Sequence, residues 1–508
     1  MYFFDSFDQY GDRTAFLQDD GSTMTYEQLQ AYANRIGELV PQRSLVFILC
    51  ENVIGSAAGY LAFLQNRSVP LLLDAGINQQ LLADLIELYH PAWIYLPEGL
   101  AAGYTTDPSA GHMTSGTSEG HTTAPAAEYT ANPTGANSAV LPGNPQITER
   151  AWGYVLAKTD FDQSTEPNLY GDLALLLTTS GSTGSPKLVR QSYQNIQANS
   201  ESIAEYLKID ETERPITTLP MHYTYGLSVI QSHILKGACI LLTRESVIGK
   251  PFWDFFKKEQ ATSIAGVPYT YEMLKRIRFF RMDLPSLRTM TQAGGKILPE
   301  LHREFAEYAA EKGKNFVVMY GQTEATARMG YLPADKALDK VGSMGIVIPG
   351  GSFDLIDVDG SEITETNKTG ELVYRGPNVT LGYAEKRADL ALGDERNGVL
   401  ETGDMAQMDA DGYYYIVGRK KRFLKIFGSR VNLDEVERMI RNEFPDADCA
   451  CSGTDDQLQV FVTDPRACGE VQRFLLTRTH INQRAIRVKA IAEIPRNDSG
   501  KIIYQDLH

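Results

Sequence analysis

The sequence lacks long apolar runs, is poor in cysteine and carries fewer basic than acidic residues. No apolar run approaches the ~20 residues that a membrane-spanning helix needs, so we expect no membrane span. The cysteines are scattered and number only five, which argues against a disulfide framework and fits a reducing cytoplasm. The segment Met1–Asp5 lacks the basic region and apolar core of a secretory signal, which also predicts a cytoplasmic location.

The charge balance excludes further classes of partner. Asp and Glu number 64 against 48 for Lys and Arg, which gives a net charge of −16. Such an acidic surface repels phosphodiester backbones and anionic lipids, so we expect binding to neither nucleic acid nor a membrane surface. A small anionic ligand held in a local basic pocket is compatible with this balance.

Hydrophobic patterning in the first half of the chain predicts an α/β fold. The 508 residues, 43% of them apolar, are sufficient for several buried cores. Short apolar runs alternate with segments of helical periodicity, which is typical of a parallel sheet covered on both faces. The pattern predicts strands at Ser44–Cys50, Val69–Leu73 and Trp93–Leu96, and helices at Ile54–Gln65 and Gln79–Tyr89.

The composition changes after residue 100. From Ala101 to Ala139 the chain consists largely of Ala, Gly, Ser, Thr and Pro, without leucine or isoleucine. Such a segment buries too little apolar surface to offset the entropy lost on ordering. We therefore expect a flexible surface insertion over about residues 101–149.

The alternation resumes at Leu173 and predicts a second doubly wound layer that starts with a strand at Leu173–Thr178. After about Gly330, short strands separated by Gly, Asp and Asn turns indicate a small β subdomain. We expect two doubly wound α/β subdomains and this β subdomain in a large N-terminal domain over residues 1–418. A small α+β C-terminal domain is expected over residues 419–508.

One loop has the composition of an anion-binding site. Thr178–Lys187 (TTSGSTGSPK) follows a predicted buried strand and precedes a predicted helix. Small residues let backbone N–H groups approach an anion, and hydroxyls can donate to phosphate oxygens. It is not a Walker loop, because Pro186 and Leu188 replace the required Gly and Ser/Thr. The candidate phosphate-binding residues are Thr179, Ser180, Gly181, Ser182, Thr183, Gly184 and Lys187.

Four further motifs follow this loop along the chain. They are Tyr320–Glu324 (YGQTE), Thr402–Asp404 (TGD), a hinge segment that begins at Gly418, and Pro495–Lys501 (PRNDSGK). With the loop, and in this order, they resemble the signatures of the adenylate-forming superfamily of AMP-binding enzymes. That superfamily includes acyl- and aryl-CoA synthetases, fatty-acyl-AMP ligases, luciferases and peptide-synthetase adenylation domains.

The resemblance implies a reaction in two steps. A carboxylate attacks the α-phosphorus of ATP in the presence of Mg²⁺ and expels pyrophosphate, and the acyl group then passes to a pantetheine thiol of a carrier protein or of CoA. Two anions must meet in the first step, so the site needs cations and donors aimed at developing charge. The resemblance also implies that the C-terminal domain is mobile and rotates about a hinge near Lys421 between the two steps.

The resemblance assigns catalytic roles to four residues. Lys501 bridges the carboxylate and the α-phosphate, and Thr323 donates to the α-phosphate. Glu324 holds Mg²⁺, a hard ion that prefers oxygen ligands. His222, in a segment that resembles the family's acyl-pocket motif, lies beside the acid or the pantetheine tunnel.

Further residues are implied to bind the nucleotide. Tyr320, next to Gly321, stacks on adenine beside the close-approach pair Gly294–Gly295. Asp404 accepts hydrogen bonds from the ribose hydroxyls, and Arg419 lies near the same sugar.

The identity of the acid and of the thiol is less constrained. No acidic residue occurs from Thr217 to Lys236, where adenylation domains for α-amino acids place an aspartate, so a neutral acyl, hydroxy or aryl acid is favoured. A carrier protein is slightly favoured over CoA, because no Arg/Lys cluster for the CoA 3′-phosphate is evident. Two alternatives stay open: a non-catalytic AMP-binding relative and an amino-acid-activating adenylation enzyme.

Overall fold

A computed structural model of the chain describes residues 1–101, 105–112, 141–178, 187–357, 359–426, 429–454, 456–479, 482–496 and 502–507. Within these ranges no helix is both long and apolar enough to cross a bilayer. The helices are α1 (Tyr26–Leu39), α2 (Ile54–Gln65), α3 (Gln79–Tyr89), α4 (Tyr193–Tyr206), α5 (Thr224–Ile234), α6 (Lys250–Lys258), α7 (Pro268–Arg276), α8 (Pro299–Lys312), α9 (Leu433–Glu443) and α10 (Cys468–Thr479).

Strands are distributed along the whole described chain. The first nine are β1 (Thr14–Gln18), β2 (Thr23–Thr25), β3 (Leu45–Cys50), β4 (Val69–Asp74), β5 (Trp93–Pro97), β6 (Thr105–His112), β7 (Gln146–Ala151), β8 (Tyr154–Lys158) and β9 (Leu173–Thr178). The next nine are β10 (Leu188–Ser192), β11 (Pro215–Ile216), β12 (Ile240–Leu242), β13 (Ser263–Gly266), β14 (Thr289–Gln292), β15 (Asn315–Tyr320), β16 (Gly330–Tyr331), β17 (Ile346–Val347) and β18 (Ser352–Ile356). The remaining strands are β19 (Gly370–Arg375), β20 (Gly382–Ala384), β21 (Val399–Met408), β22 (Tyr414–Arg419), β23 (Phe423–Ile426), β24 (Ser429–Asn432), β25 (Cys449–Thr454), β26 (Gln457–Val462) and β27 (Ile486–Ala490).

The first large sheet has the order β20-β10-β9-β4-β3-β5-β8-β7-β6. Its centre, from β9 to β5, is parallel, whereas β8 and β10 pair antiparallel at either side. The strands β3 and β5 are buried along their whole length, as continuous apolar runs require. This sheet confirms the predicted strands at Ser44–Cys50, Val69–Leu73 and Trp93–Leu96.

The second large sheet has the order β17-β16-β15-β14-β13-β11-β12-β1-β2. The six strands from β15 to β1 are parallel, so their carboxyl ends lie at one edge. One assignment from the sequence is wrong here: Leu173–Thr178 opens no strand of this sheet but pairs with β4 in the first one. Its place is taken by β1, because an apolar run predicts a buried strand without saying which sheet buries it.

The helices α1 and α2 lie between the two large sheets. One hydrophobic core joins these helices to residues from both sheets, such as Phe16 and Ile48. Every residue of α2 except Gln65 is buried. Gly59 permits this approach, because a Cβ there would lie 2.2 Å from the Tyr95 ring. The capping box predicted at Thr25–Gln28 opens α1.

A four-stranded antiparallel sheet, in the order β18-β19-β21-β22, follows the second large sheet. Beyond it, α9 packs with the hairpin β23–β24 and the sheet β25-β26-β27 around a core drawn only from residues 424–488. The side chain of Asn432 caps α9, as its sequence predicts. The fold is thus α/β, with two doubly wound layers, a small β-sheet and a compact α+β unit.

The insertion expected over residues 101–149 is too wide in its bounds. The strands β6 and β7 lie within that range and pair in parallel. In β7, Ile147, Glu149 and Ala151 are buried and the residues between them are not, an alternation that the surrounding small residues obscure. Residues 102–104 and 113–140 lie outside the described part of the chain.

Candidate active site

Asp404 is the centre of a polar cluster between the second large sheet and the small β-sheet. Its side chain is buried, and its Oδ2 accepts hydrogen bonds from Tyr320 Oη at 2.5 Å and from Gln322 Nε2 at 2.9 Å. Gln322 also donates to the Thr402 carbonyl at 3.0 Å. Burial raises the pKa of Asp404, while Arg419 and these donors act in the opposite direction. The cluster therefore joins the first motif after β15 to the TGD motif of β21.

Arg419 completes the cluster from the last residue of β22. Its Nε lies 2.8 Å from Asp404 Oδ1, because residues 404 and 419 are paired in the antiparallel register of β21 and β22. The Arg419 side chain is 57% exposed, whereas that of Asp404 is 4% exposed. The carboxylate is therefore fixed, and its cationic partner stands at the open side and can move aside for a ligand.

Glu324 lies on the short turn after β15 and faces Tyr383. Tyr383 Oη donates to Glu324 Oε1 at 2.7 Å, and burial followed by the Glu324 charge raises the pKa of Tyr383 to about 12. The backbone carbonyl of Glu324 accepts from Thr380 N at 3.0 Å and from Arg396 Nη1 at 3.1 Å. The turn is thus held at both its backbone and its side chain. Thr323, the preceding residue, begins the same turn.

Lys187 approaches the same tyrosine from the other side. Its Nζ lies 5.8 Å from the centre of the Tyr383 ring and 2.5 Å from Glu385 Oε1, with both charged side chains exposed. The structure therefore brings together two candidates from distant motifs, Lys187 and Glu324, on either side of Tyr383. Neither Tyr383 nor Arg396 belongs to a motif that the sequence makes visible.

The loop before Lys187 connects two strands, which corrects one expectation. Leu188 pairs with Thr178 in an antiparallel register, so the segment after the loop is β10, and α4 begins only at Tyr193. The loop therefore does not open a helix, and no helix dipole contributes at this point. The candidates Thr179, Ser180, Gly181, Ser182, Thr183 and Gly184 lie outside the described residues, as does Lys501.

Three glycines allow close packing around the carboxyl ends of β14 and β15. A Cβ on Gly321 would lie 1.7 Å from the Ala327 carbonyl oxygen, so no side chain fits there. Gly294 has φ +80°, and a Cβ there would lie 2.6 Å from Tyr223 Oη. Gly295 is less crowded, with Pro268 Cγ 3.2 Å from the position of its Cβ. The pair Gly294–Gly295 thus borders the same edge of the sheet as Tyr320 and Gly321.

His222 lies apart from the Asp404 cluster, in an open cleft of about 390 Å³ at the end of the first large sheet. Its Nε2 is 3.8 Å from Asp74 Oδ2, and its Nδ1 is buried without a hydrogen-bond partner. Burial lowers the pKa of His222, against the smaller opposite effect of Asp74, so the ring is neutral near pH 7. Asp74 and Arg244 also line this cleft, and the sequence gave no local signal for either.

The comparisons with known proteins were made for the whole chain. A family model described as "AMP-binding enzyme" matches residues 3–384. The chain is 30% identical to an indoleacetate–CoA ligase of Aromatoleum aromaticum over 346 residues, which cover 66% of either chain. It is 26% identical to a 4-coumarate–CoA ligase-like protein of Oryza sativa subsp. japonica, over 73% of this chain and 69% of the other. The chain thus spans about two thirds of the length of the first curated relatives that it matches.

Solved structures share the fold. The model matches an o-succinylbenzoate–CoA synthetase of Bacillus subtilis in complex with ATP and a magnesium ion with a TM-score of 0.73 at 21% identity, over 100% of this chain and 99% of the other. It matches ATP-bound MatB of Rhodopseudomonas palustris with a TM-score of 0.69 at 20% identity, over 99% and 98% of the two chains. At these identities the likeness establishes the architecture of the chain.

Proposed function

Since the chain belongs to the AMP-binding enzyme family, we propose that it is an ATP- and Mg²⁺-dependent ligase of a carboxylic acid. In the first step, a carboxylate oxygen attacks the α-phosphorus of ATP, an acyl-adenylate forms and pyrophosphate leaves. In the second step, a pantetheine sulfur attacks the acyl carbonyl, a thioester forms and AMP leaves. The family's two named activities among the relatives, both CoA ligases, support this reaction.

The observation that carries the proposal is the Asp404 cluster. A buried carboxylate at the edge of a sheet, held by Tyr320 and Gln322 and covered only by the exposed Arg419, can accept from two neighbouring hydroxyls. A ribose presents such a pair. Tyr320 keeps its ring beside this carboxylate through its own hydroxyl, and the Gly294–Gly295 pair leaves room for a flat base to approach the backbone.

Glu324 fits a magnesium ion that is shared with phosphates. Among the described residues, no group of three or more His, Cys, Asp or Glu side chains could form a metal cage. Mg²⁺ bound with substrate phosphates takes only one or two protein carboxylates, and one oxygen of Glu324 accepts from Tyr383 while the other has no recorded donor. The ion would neutralise phosphate charge during attack on the α-phosphorus. Tyr383 would hold the Glu324 carboxylate in place for this task.

The remaining catalytic assignments rest on the sequence. We propose that Lys501 bridges the carboxylate and the α-phosphate, and that Thr323 donates to the α-phosphate. We place the phosphates of ATP against the loop that ends at Lys187. The two domains are proposed to divide at residue 418, and Lys420–Arg422, a short helical turn directly after β22, is the proposed hinge.

CoA is the thiol carrier that the relatives favour, since their names are those of CoA ligases. The cleft beside His222 and Arg244 is a candidate entry for the pantetheine arm, and a carrier protein is the alternative donor of that arm. All five cysteines are unpaired, which supports a cytoplasmic location for the reaction.

Pyrophosphate exchange with ATP tests the proposal most simply. Purified chain, ATP, Mg²⁺ and a panel of acyl, aryl and dicarboxylic acids should return labelled ATP only when a suitable acid is present, and CoA should then give a thioester. Binding of AMP or ATP without exchange for any acid would instead indicate a non-catalytic relative. Exchange restricted to α-amino acids would favour an amino-acid-activating enzyme.

A further inference from the structure

A narrow cavity runs along the second large sheet, between its face and the helices α4 and α5. It is lined by Ala265 of β13, Thr289 and Thr291 of β14, Ile203 of α4 and, at one end, Arg328. The wall is mostly apolar or carries small hydroxyls. Arg328 is therefore the unusual member of this lining, because charged side chains are almost never buried without a partner.

Arg328 is 2% exposed, and no carboxylate accompanies it. Its Nη2 donates to Ser228 Oγ at 3.0 Å, and its guanidinium carbon lies 3.8 Å from the centre of the Tyr225 ring. Its Nε and Nη1 are buried without any hydrogen-bond partner. A buried cation with unused donors is costly unless an anion completes it.

The other polar groups that line the cavity already have partners. Glu213 forms an ion pair with Arg288 at 3.2 Å and accepts a hydrogen bond from Thr262. The ring of His233 bonds to the Val229 carbonyl at 2.7 Å, and burial lowers the pKa of His233 to about 4, so this side chain is neutral near pH 7. The uncompensated charge in the cavity is thus the positive charge of Arg328.

The Arg328 end of the cavity adjoins the candidate active site. Arg328 lies four residues after Glu324, and its backbone is fixed by Asn199 Nδ2 and Asn378 Nδ2, which both donate to its carbonyl. Tyr225, whose ring lies beneath the guanidinium, donates to the Thr291 carbonyl at 2.8 Å, three residues before Gly294. The segments that the proposed function places around the acid therefore converge on this arginine.

We propose that Arg328 binds a second carboxylate of the acid, so that the substrate is a dicarboxylic acid adenylated at its other end. This inference rests on the proposed function and deepens it. A carboxylate brings both the negative charge and the acceptor oxygens that Nε and Nη1 lack. A fatty acid would instead bury its chain against an unpaired guanidinium, and the ammonium of an amino acid would be repelled. The neutral acid expected from the sequence is replaced by an anionic one.

Pyrophosphate exchange with matched acids tests the inference. Succinate, glutarate and adipate are compared with their monomethyl esters, which keep the shape and one free carboxylate but lose the second charge. We expect at least one diacid to exceed its half-ester in kcat/KM by about tenfold or more, as the loss of a charged hydrogen bond predicts. Arg328→Met should abolish this preference while keeping exchange with the half-ester, Arg328→Lys should keep part of it, and Arg276→Met, at an exposed position of α7, should leave it unchanged.

Three results would overturn the inference. One is a wild type that uses monocarboxylic acids or half-esters at least as well as every diacid. Another is an Arg328→Met variant that folds and loses exchange with diacid and half-ester in equal measure, which would make Arg328 structural. If Arg328→Met does not fold, a lack of preference in Arg328→Lys together with an unchanged KM for half-ester would still contradict anion binding at this position only if the wild type also lacks the preference. A wild type that exchanges with no acid at all would overturn the proposed function itself.

Discussion

The Asp404 cluster and the Arg328 cavity lie on opposite sides of the segment that follows β15, and they treat buried charge differently. The buried Asp404 carboxylate is met by Tyr320, Gln322 and Arg419 of the same chain. The buried Arg328 guanidinium keeps two nitrogens without a partner. One region completes its charges by itself, and the other leaves a charge for a ligand.

This difference separates recognition of a common substrate from recognition of a particular one. A nucleotide site can be pre-organised by its own hydrogen bonds, because ATP is the same in every relative. An acid site must differ between relatives, and here the difference consists of one uncompensated cation. The following predictions break or sharpen that contrast, from the largest expected effect to the smallest.

Lys501→Ala should damage both regions at once, because this lysine is proposed to bridge the acid and the α-phosphate. Loss of one well-placed donor to developing charge costs about 3–4 kcal/mol, or at least a hundredfold in kcat. Pyrophosphate exchange measures this loss, and ATP binding by calorimetry should persist. Lys489→Ala, on β27 of the same C-terminal unit, is the matched control; exchange by Lys501→Ala within about threefold of wild type would refute the assignment.

Asp404→Asn should break only the nucleotide region. Replacing the charged acceptor of two hydroxyls should raise the KM for ATP by about thirtyfold or more, since each hydrogen bond to a charged group contributes about 1.5–3 kcal/mol. Because burial raises the pKa of Asp404, the wild type should also lose ATP affinity as the pH falls towards that pKa, and the variant should not. Asp411→Asn, on an exposed turn, serves as the control, and an unchanged KM for ATP would contradict the role of Asp404.

Lys421→Pro should leave both regions complete and separate the two steps. Proline fixes φ near −65° and removes the N–H group, so a hinge at this residue could no longer absorb a rotation. We expect acyl-adenylate formation to persist and thioester formation to fall by at least about tenfold, a change of ~1.4 kcal/mol in the barrier. Single-turnover assays of each step measure this split. Equal loss of both steps would mean that Lys421 is only structural.

Tyr383→Phe should sharpen the contrast by removing one donor from the carboxylate proposed to bind the metal. The neutral hydrogen bond to Glu324 contributes about 1 kcal/mol, so the Mg²⁺ concentration for half-maximal exchange should rise about fivefold, with the KM for the acid unchanged. Tyr269→Phe, at an exposed position on α7, should change neither value. A shift in the KM for the acid alone would place Tyr383 in the wrong region.

The sequence predicts most of the elements but not their partners. Apolar runs and caps give α2, α3, β3 and β5 nearly residue by residue, because their periodicity is local. The pairing of β9 with the first sheet and of β1 with the second depends on contacts far apart along the chain. The antiparallel hairpin around the loop before Lys187 also escapes a local pattern, since β10 (LVRQS) carries a buried Arg and Gln.

The same division holds in the candidate site. Tyr320, Glu324, Asp404 and Arg419 belong to short motifs, so their types and spacing were visible before their geometry. Among the residues that the structure describes, Tyr383 and Arg328 gain their roles from what surrounds them in space: a carboxylate for one, and a cavity without a carboxylate for the other. An arginine in a sequence does not reveal whether folding will supply its counterion.

The most direct measurement of the central claim is initial-rate pyrophosphate exchange with both substrates varied, for the wild type, Asp404→Asn and Arg328→Met. The account predicts a crossed result with the preferred diacid. Asp404→Asn raises the KM for ATP and leaves that for the diacid within about twofold, and Arg328→Met does the reverse, since distant sites act independently. Parallel shifts of both KM values in both variants would contradict two separately completed regions, and so would a diacid KM that is unchanged in Arg328→Met.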